Sequence, residues 1–267
     1  MPPGGGATRQ SLDVPALPER QPADVERLVV ELRRQLTHLE RVLGSDLPAA
    51  QRRAREVAGE ERWPVTVAVA VAILLQATLS GRLALGPSGL IVGLEAALGI
   101  ALLIANPRRI NRRSRVLRVL SIALVALTSL ANAWSSYALI RAIVVGDRQL
   151  TAVSLLASGG AIYLTNIIVF GLWYWEWESG GPVERAHRGR PYPDFLFPQD
   201  SGGAPVPPGW APTFADYLYV SYTNATAFSP TDTMPLSRWA KLLMMVQSAV
   251  ALVTVGLVVA RAVNIFP

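Results

Sequence analysis

The chain has no cysteine, which excludes disulfides, thiolate zinc sites, iron–sulfur clusters and thiol nucleophiles. Histidine is scarce, with only His38 and His187, both in polar segments and both read as solvated side chains rather than ligands. Lysine is scarcer still, since Lys241 is the sole lysine among 25 basic residues. No GxxxxGK[ST], GxGxxG, GxSxG or HExxH occurs, so nucleotide hydrolysis, dinucleotide binding, serine hydrolysis and zinc proteolysis have no support. The sequence therefore predicts no catalytic residue, no metal and no cofactor, and a protein that is not an enzyme. Charge is thin as well: 16% of the 267 residues are charged and 51% are apolar, against about 25% charged in ordinary soluble domains. Lipid is the solvent this composition suits. The net charge of +6 sits beside apolar runs instead of along a groove, which points to positive-inside flanks and away from nucleic acid. Arginine-dominated basic residues with abundant alanine and valine read like a GC-rich bacterial coding sequence, so the expected location is a bacterial inner membrane.

What is present is a series of apolar runs. Residues 1–24, rich in glycine and proline, cannot bury enough apolar surface to order and are predicted disordered. Residues 25–62 read as a cytoplasmic amphipathic or coiled-coil helix, with Val25, Val29, Leu32, Leu36, Leu39 and Leu43 in 4-3-4-3-4 spacing before Gly44. That seam implies either a homo-oligomer or a helix lying on the protein or on lipid headgroups. Residues 63–175 hold four predicted spans, at about 63–80, 90–105, 116–145 and 150–174. The first is preceded by Arg52, Arg53, Arg55 and Arg62, and NPRRINRRSR, which follows the second, adds five arginines with no acid, so both ends of this hairpin face the cytoplasm. No apolar signal-peptide core precedes residue 63, so the first span is expected to act as its own insertion signal, with the amino terminus cytoplasmic. The fourth ends in an aromatic belt, Trp173, Tyr174, Trp175 and Trp177. Residues 176–213 form a proline- and glycine-rich loop, and residues 214–267 hold a short apolar segment at 214–228 and a final span at 239–265. The fold class is thus an all-α membrane protein of about five transmembrane helices plus one short re-entrant or interfacial helix. If residues 214–228 cross, the count becomes six, with both termini inside.

Glu95 stands out, because a carboxylate inside an apolar span costs several kcal/mol unless it is protonated, paired or facing water. It is a candidate for a polar path, or for an ion pair with Arg141 or Arg261 at the same outer depth. Gly93, Ala97 and Ala101 recur every four residues, which predicts a helix face packed closely on a neighbour. Gln76, Asn132, Asn166 and Gln247 are read as interhelical hydrogen-bonding groups.

The stretch DYLYVSYTNATAFSPTDTMPLSRWAKLLMMVQSAVALVTVGLVVARAVNIF resembles a family of uncharacterised bacterial integral membrane proteins, and also the pore half of a potassium channel. The second resemblance implies a short pore helix at 217–224, a turn at Thr226, an Asp-x-x-Pro exit at 232–235 and an inner helix from Trp239. It makes Asn224, Thr226 and Asp232, with Glu95, candidate pore-lining residues. Ala227, Phe228, Ser229, Pro230 and Thr231 stand where a potassium filter needs glycine, so what is implied is an architecture and not potassium selectivity. Two functions follow: a membrane scaffold bound to the lipid bilayer, or an ion channel or small-solute permease.

Overall fold

The computed structural model describes residues 33–35, 60–79, 81–105, 109–110, 114–146, 151–188, 192–200, 206, 210–227 and 232–265. The predicted disorder of residues 1–24 lies outside them, and so does the seam from Val25 to Leu43 except for residues 33–35, which are helical and exposed. The chain divides into two compact units, Met1–Leu47 and Pro48–Pro267. The second unit holds all the described helices but residues 33–35.

This unit is built almost wholly of helices. Strand β1 (Glu60–Glu61) leads into α1 (Trp63–Ala77), which Pro64 opens, in the first turn where a missing N–H costs nothing. Then come α2 (Ser88–Ala105), β2 (Arg109–Ile110), α3 (Arg115–Val145), α4 (Ala152–Trp177), α5 (Pro182–Arg188), β3 (Phe195–Leu196), α6 (Phe214–Ala227), β4 (Met234–Pro235) and α7 (Arg238–Ile265). Among the described residues, three stretches are long and apolar enough to cross a membrane: Arg115–Val145, Ala152–Gly180 and Arg238–Asn264. Helices α1 and α2 are apolar but shorter. Gly146 ends α3 in the left-handed region at φ 75°, and its N–H reaches back to the carbonyls of Ala142 and Ile143.

Helix α4 is the central post, its most apolar stretch 56% buried against 28% for α3 and α7. Outward faces carry large apolar side chains such as Leu74, Ile104, Leu130, Val153, Leu242 and Val263, as lipid contact requires. Antiparallel pairing of β1 with β2 (Glu60↔Ile110, Glu61↔Arg109) brings the start of α1 beside the end of α2. Trp175 bonds to Glu60, and Trp177 packs edge-on against Trp239 at 5.5 Å. The end of α4 and the start of α7 therefore lie at this same end of the bundle, where the aromatic belt sits.

Helix α6 starts at that end, with Phe214 against Trp175, and runs antiparallel to α4 past Gly171 to Ile167. At 1.5 Å per residue its 14 residues reach about 21 Å, short of the roughly 30 Å hydrocarbon core. The chain then returns to the belt end, because β4 pairs antiparallel with β3 (Phe195↔Pro235, Leu196↔Met234). The proline-rich segment between α4 and α6, predicted only as a broken polar loop, supplies part of the core. Phe195 and Phe197 are buried and pack with Tyr174, Tyr217, Trp210 and Trp239.

One packing expectation is corrected. The Gly93, Ala97 and Ala101 face of α2 is exposed, and a Cβ at Gly93 would meet nothing within 4 Å. The buried side of α2 carries Glu95 and Leu102 instead, since α1 and α3 close on that side.

Candidate functional site

Three polar constellations stand out in the bundle. The first joins α4, α6 and α7 below the belt. Gln247, fully buried, sits at its centre. Its Oε1 accepts from the Tyr174 hydroxyl (2.6 Å) and from Asn224 Nδ2 (2.8 Å), while its Nε2 donates to Ser221 O (2.9 Å) and Oγ (2.7 Å). Asn224 Nδ2 also donates to Met244 O (3.0 Å), and Ser248 Oγ donates to Asn224 Oδ1 (3.2 Å). Ser221 Oγ donates onward to Ile167 O (2.6 Å), so the lattice ties all three helices. Each polar group of this glutamine is used, as burial in an apolar medium demands. Close backbone approach makes the lattice possible: a Cβ on Gly171 would come within 3.2 Å of Leu218 Cα, so only glycine lets α4 and α6 meet this tightly.

The pore-lining candidates are not gathered into one channel wall. Asn224 is buried and engaged as above. Thr226, exposed, donates its hydroxyl to Tyr222 O of its own helix (2.8 Å). Asp232 lies exposed in the turn before β4, and Glu95 belongs to a different part of the bundle.

Glu95 is the second constellation. It is fully buried in α2, and neither carboxylate oxygen has a hydrogen-bond partner. The Thr128 hydroxyl of α3 lies within reach of the carboxylate but donates to Leu124 O, and Gln76 of α1 bonds to the Thr128 carbonyl at 3.4 Å. No ion pair joins Glu95 to Arg141 or Arg261 among the described residues. Arg141 is exposed, and the Nε of half-buried Arg261 has no partner either. Asn132 Oδ1 and Asn166 Nδ2 are likewise buried and unbonded, whereas Gln76 and Gln247 do bond between helices.

The third constellation, at the belt end, went unseen in the sequence. Arg185 of α5 is buried and forks onto Glu60 through Nη2 (2.7 Å) and Nε (3.1 Å). Its Nη1 donates to the carbonyls of Trp175 (2.7 Å) and Glu178 (2.9 Å), and its guanidinium lies over the Tyr217 ring at 5.4 Å. Burial alone would lower the Arg185 pKa, but the charge and hydrogen bond of Glu60, with Tyr217 and Glu178, together outweigh it and hold the pKa above its ordinary value. The buried Glu178 carboxylate accepts from the backbone N–H of Asp194 (3.2 Å) and Phe195 (3.1 Å), and Asp194 accepts from Trp239 Nε1 (2.9 Å) and Ser179 N (3.0 Å). Gly181, at φ 98°, has no room for a Cβ, which would stand 2.8 Å from Glu176 O. Losing one partner of such a buried pair costs about 3–5 kcal/mol, so this knot fastens α1, α4, α5 and the β3–β4 clasp together.

Among the described residues no three His, Asp or Glu side chains converge as a metal ion would need. Compared with known proteins, the chain matches no family model, no curated protein and no solved structure.

Proposed function

We propose that this chain is a non-enzymatic, multi-pass component of a bacterial inner membrane that serves as a scaffold, with five spans, one re-entrant helix and a cytoplasmic amino terminus. The lattice around Gln247 supports this reading. It engages Asn224, one of the pore-lining candidates on α6, in bonds to α7 that occupy its amide. The re-entrant assignment for α6 is supported by its length and by the β3–β4 clasp, since both ends of the excursion lie at the belt end. The resemblance to a channel pore half then concerns architecture alone, and the Val25 to Leu43 seam is the segment that would join copies of the scaffold. Reconstitution in liposomes tests the function: the protein should pass no ions or small solutes under any gradient, in the parent chain or in Asn224→Leu. A conductance that changes in Asn224→Leu would overturn the scaffold. A reporter fused after Pro267 should be active outside the cytoplasm, and an inside-active reporter would overturn five spans.

Glu95 favours a second reading, a proton or cation permease, because its carboxylate is buried without a hydrogen-bond partner in an apolar span. A pH-dependent flux abolished by Glu95→Gln would carry that reading.

A further inference from the structure

A cavity of about 900 Å³ lies between α1, α2, α3 and the end of α4, well within the size of ligand-binding sites. Its lining divides sharply by chemistry. The charged groups, Arg62, Arg115, Arg118, Glu176 and Glu184, all come from helix ends or the adjoining turn at the belt end. The deeper wall is apolar, for example Ile73 and Leu74 of α1, Gly99 and Ile100 of α2, and Leu124 of α3. From Arg62 to Leu74 the twelve helical steps span about 18 Å, close to one leaflet, which is half of the roughly 30 Å hydrocarbon core. Leu74 (66% exposed) and Ile100 (57%) line it, so the wall is open enough for a chain to slide in from the bilayer.

We propose that this cavity holds one anionic phospholipid, with acyl chain against the apolar wall and phosphodiester among Arg62, Arg115 and Arg118. Among the described residues that line the cavity, three guanidiniums face two carboxylates, so positive charge is in excess there, which a phosphodiester offsets and a zwitterionic headgroup does not. One of those carboxylates is already engaged, since Glu176 accepts from Ser121 Oγ at 3.0 Å beside Arg118. Arg62 is the under-compensated cation: its Nε is buried without a hydrogen-bond partner, and burial lowers its pKa, a desolvation that an anion in the cavity would relieve. Guanidiniums suit this task because their planar fork matches phosphate oxygens.

Native mass spectrometry of the purified full chain, loaded with dioleoyl phosphatidylglycerol or dioleoyl phosphatidylcholine, tests this. The parent chain should retain one phosphatidylglycerol in preference to phosphatidylcholine, and excess inorganic phosphate should not displace it. Arg115→Gln and Arg118→Gln, both at exposed positions, should each lower that preference about fivefold, and the double variant should lower it further. Gly99→Leu, which fills the wall where the nearest neighbour of a Cβ is 4.0 Å away, should reduce retention of both lipids while the melting temperature holds. Equal retention of the two lipids by the parent chain, displacement by phosphate alone, or an unchanged preference in the double arginine variant would overturn the proposal.

Discussion

Replacing Gln247 with leucine isolates the contribution of the lattice to stability. The substitution keeps volume and apolar contact but removes one acceptor shared by two donors and one amide that donates twice. Not every partner is stranded. Asn224 Nδ2 keeps Met244 O, and Ser221 Oγ keeps Ile167 O, so only the Tyr174 hydroxyl loses its partner while buried. The orphaned hydroxyl costs about 1–3 kcal/mol. The remaining lost interhelical bonds cost about 0.6 kcal/mol each. A total of about 3–5 kcal/mol is expected, against about 1 kcal/mol for Tyr174→Phe, which leaves Gln247 Oε1 still accepting from Asn224. In the double variant no hydroxyl is left to orphan, so its loss should fall short of the sum by about 1 kcal/mol or more. Reversible unfolding in mixed micelles, read for parent, single and double variants, gives the cycle. Strictly additive losses would refute the reasoning, because they would mean that Tyr174 and Gln247 do not share a bond in the folded bundle.

Gly159 faces Val258 across α4 and α7, and a Cβ there would come within 2.8 Å of a valine methyl. Gly159→Ala should therefore cost about 1–3 kcal/mol, and adding Val258→Ala should restore part of it; a loss that Val258→Ala deepens would refute the contact. Arg185→Lys should cost about 1–3 kcal/mol near neutral pH, since an ammonium cannot serve Glu60 and two carbonyls in the same fork. Because Arg185's pKa is raised above its ordinary value, its stabilisation is complete below that ordinary value and is lost only as pH climbs through the still higher folded value. Titrating both proteins to about pH 11 should leave this contribution intact in the parent, while the lysine variant, with an ordinary value near 10.4, loses further stability on the way. Parallel alkaline profiles would refute the assignment.

Hydropathy made the apolar helices legible, since spans at about 116–145, 150–174 and 239–265 correspond to α3, α4 and α7 within a few residues. Charge and length together also marked 214–228 as unlike the rest, because Asp216, Asn224 and several hydroxyls thin its hydropathy while its pattern stays helical. Long-range pairing was not legible. Glu60 and Arg185 are 125 residues apart, and nothing local distinguishes either from a solvated charge. Phe195 and Phe197 were hidden for a related reason: a three-residue apolar island has no period to read, and its burial depends on Tyr174 and Tyr217 arriving from elsewhere. The small-residue face of α2 misled because spacing identifies a face that can pack, not the side on which neighbours stand.

The lattice also constrains the order in which the protein can be made. Ser221 and Asn224 emerge from the ribosome before Gln247, and their partners on α7 do not yet exist when α6 is complete. A helix of 14 residues with this many polar groups gains little from hydrophobic burial alone, so its burial depends on partners that α7 brings. Once α7 has threaded and the β3–β4 clasp has drawn its start to the belt, α6 can slide in between α4 and α7 and trade water for the amide of Gln247. Helix α7, made after α6, thus supplies the amide on which the polar groups of the segment before it close.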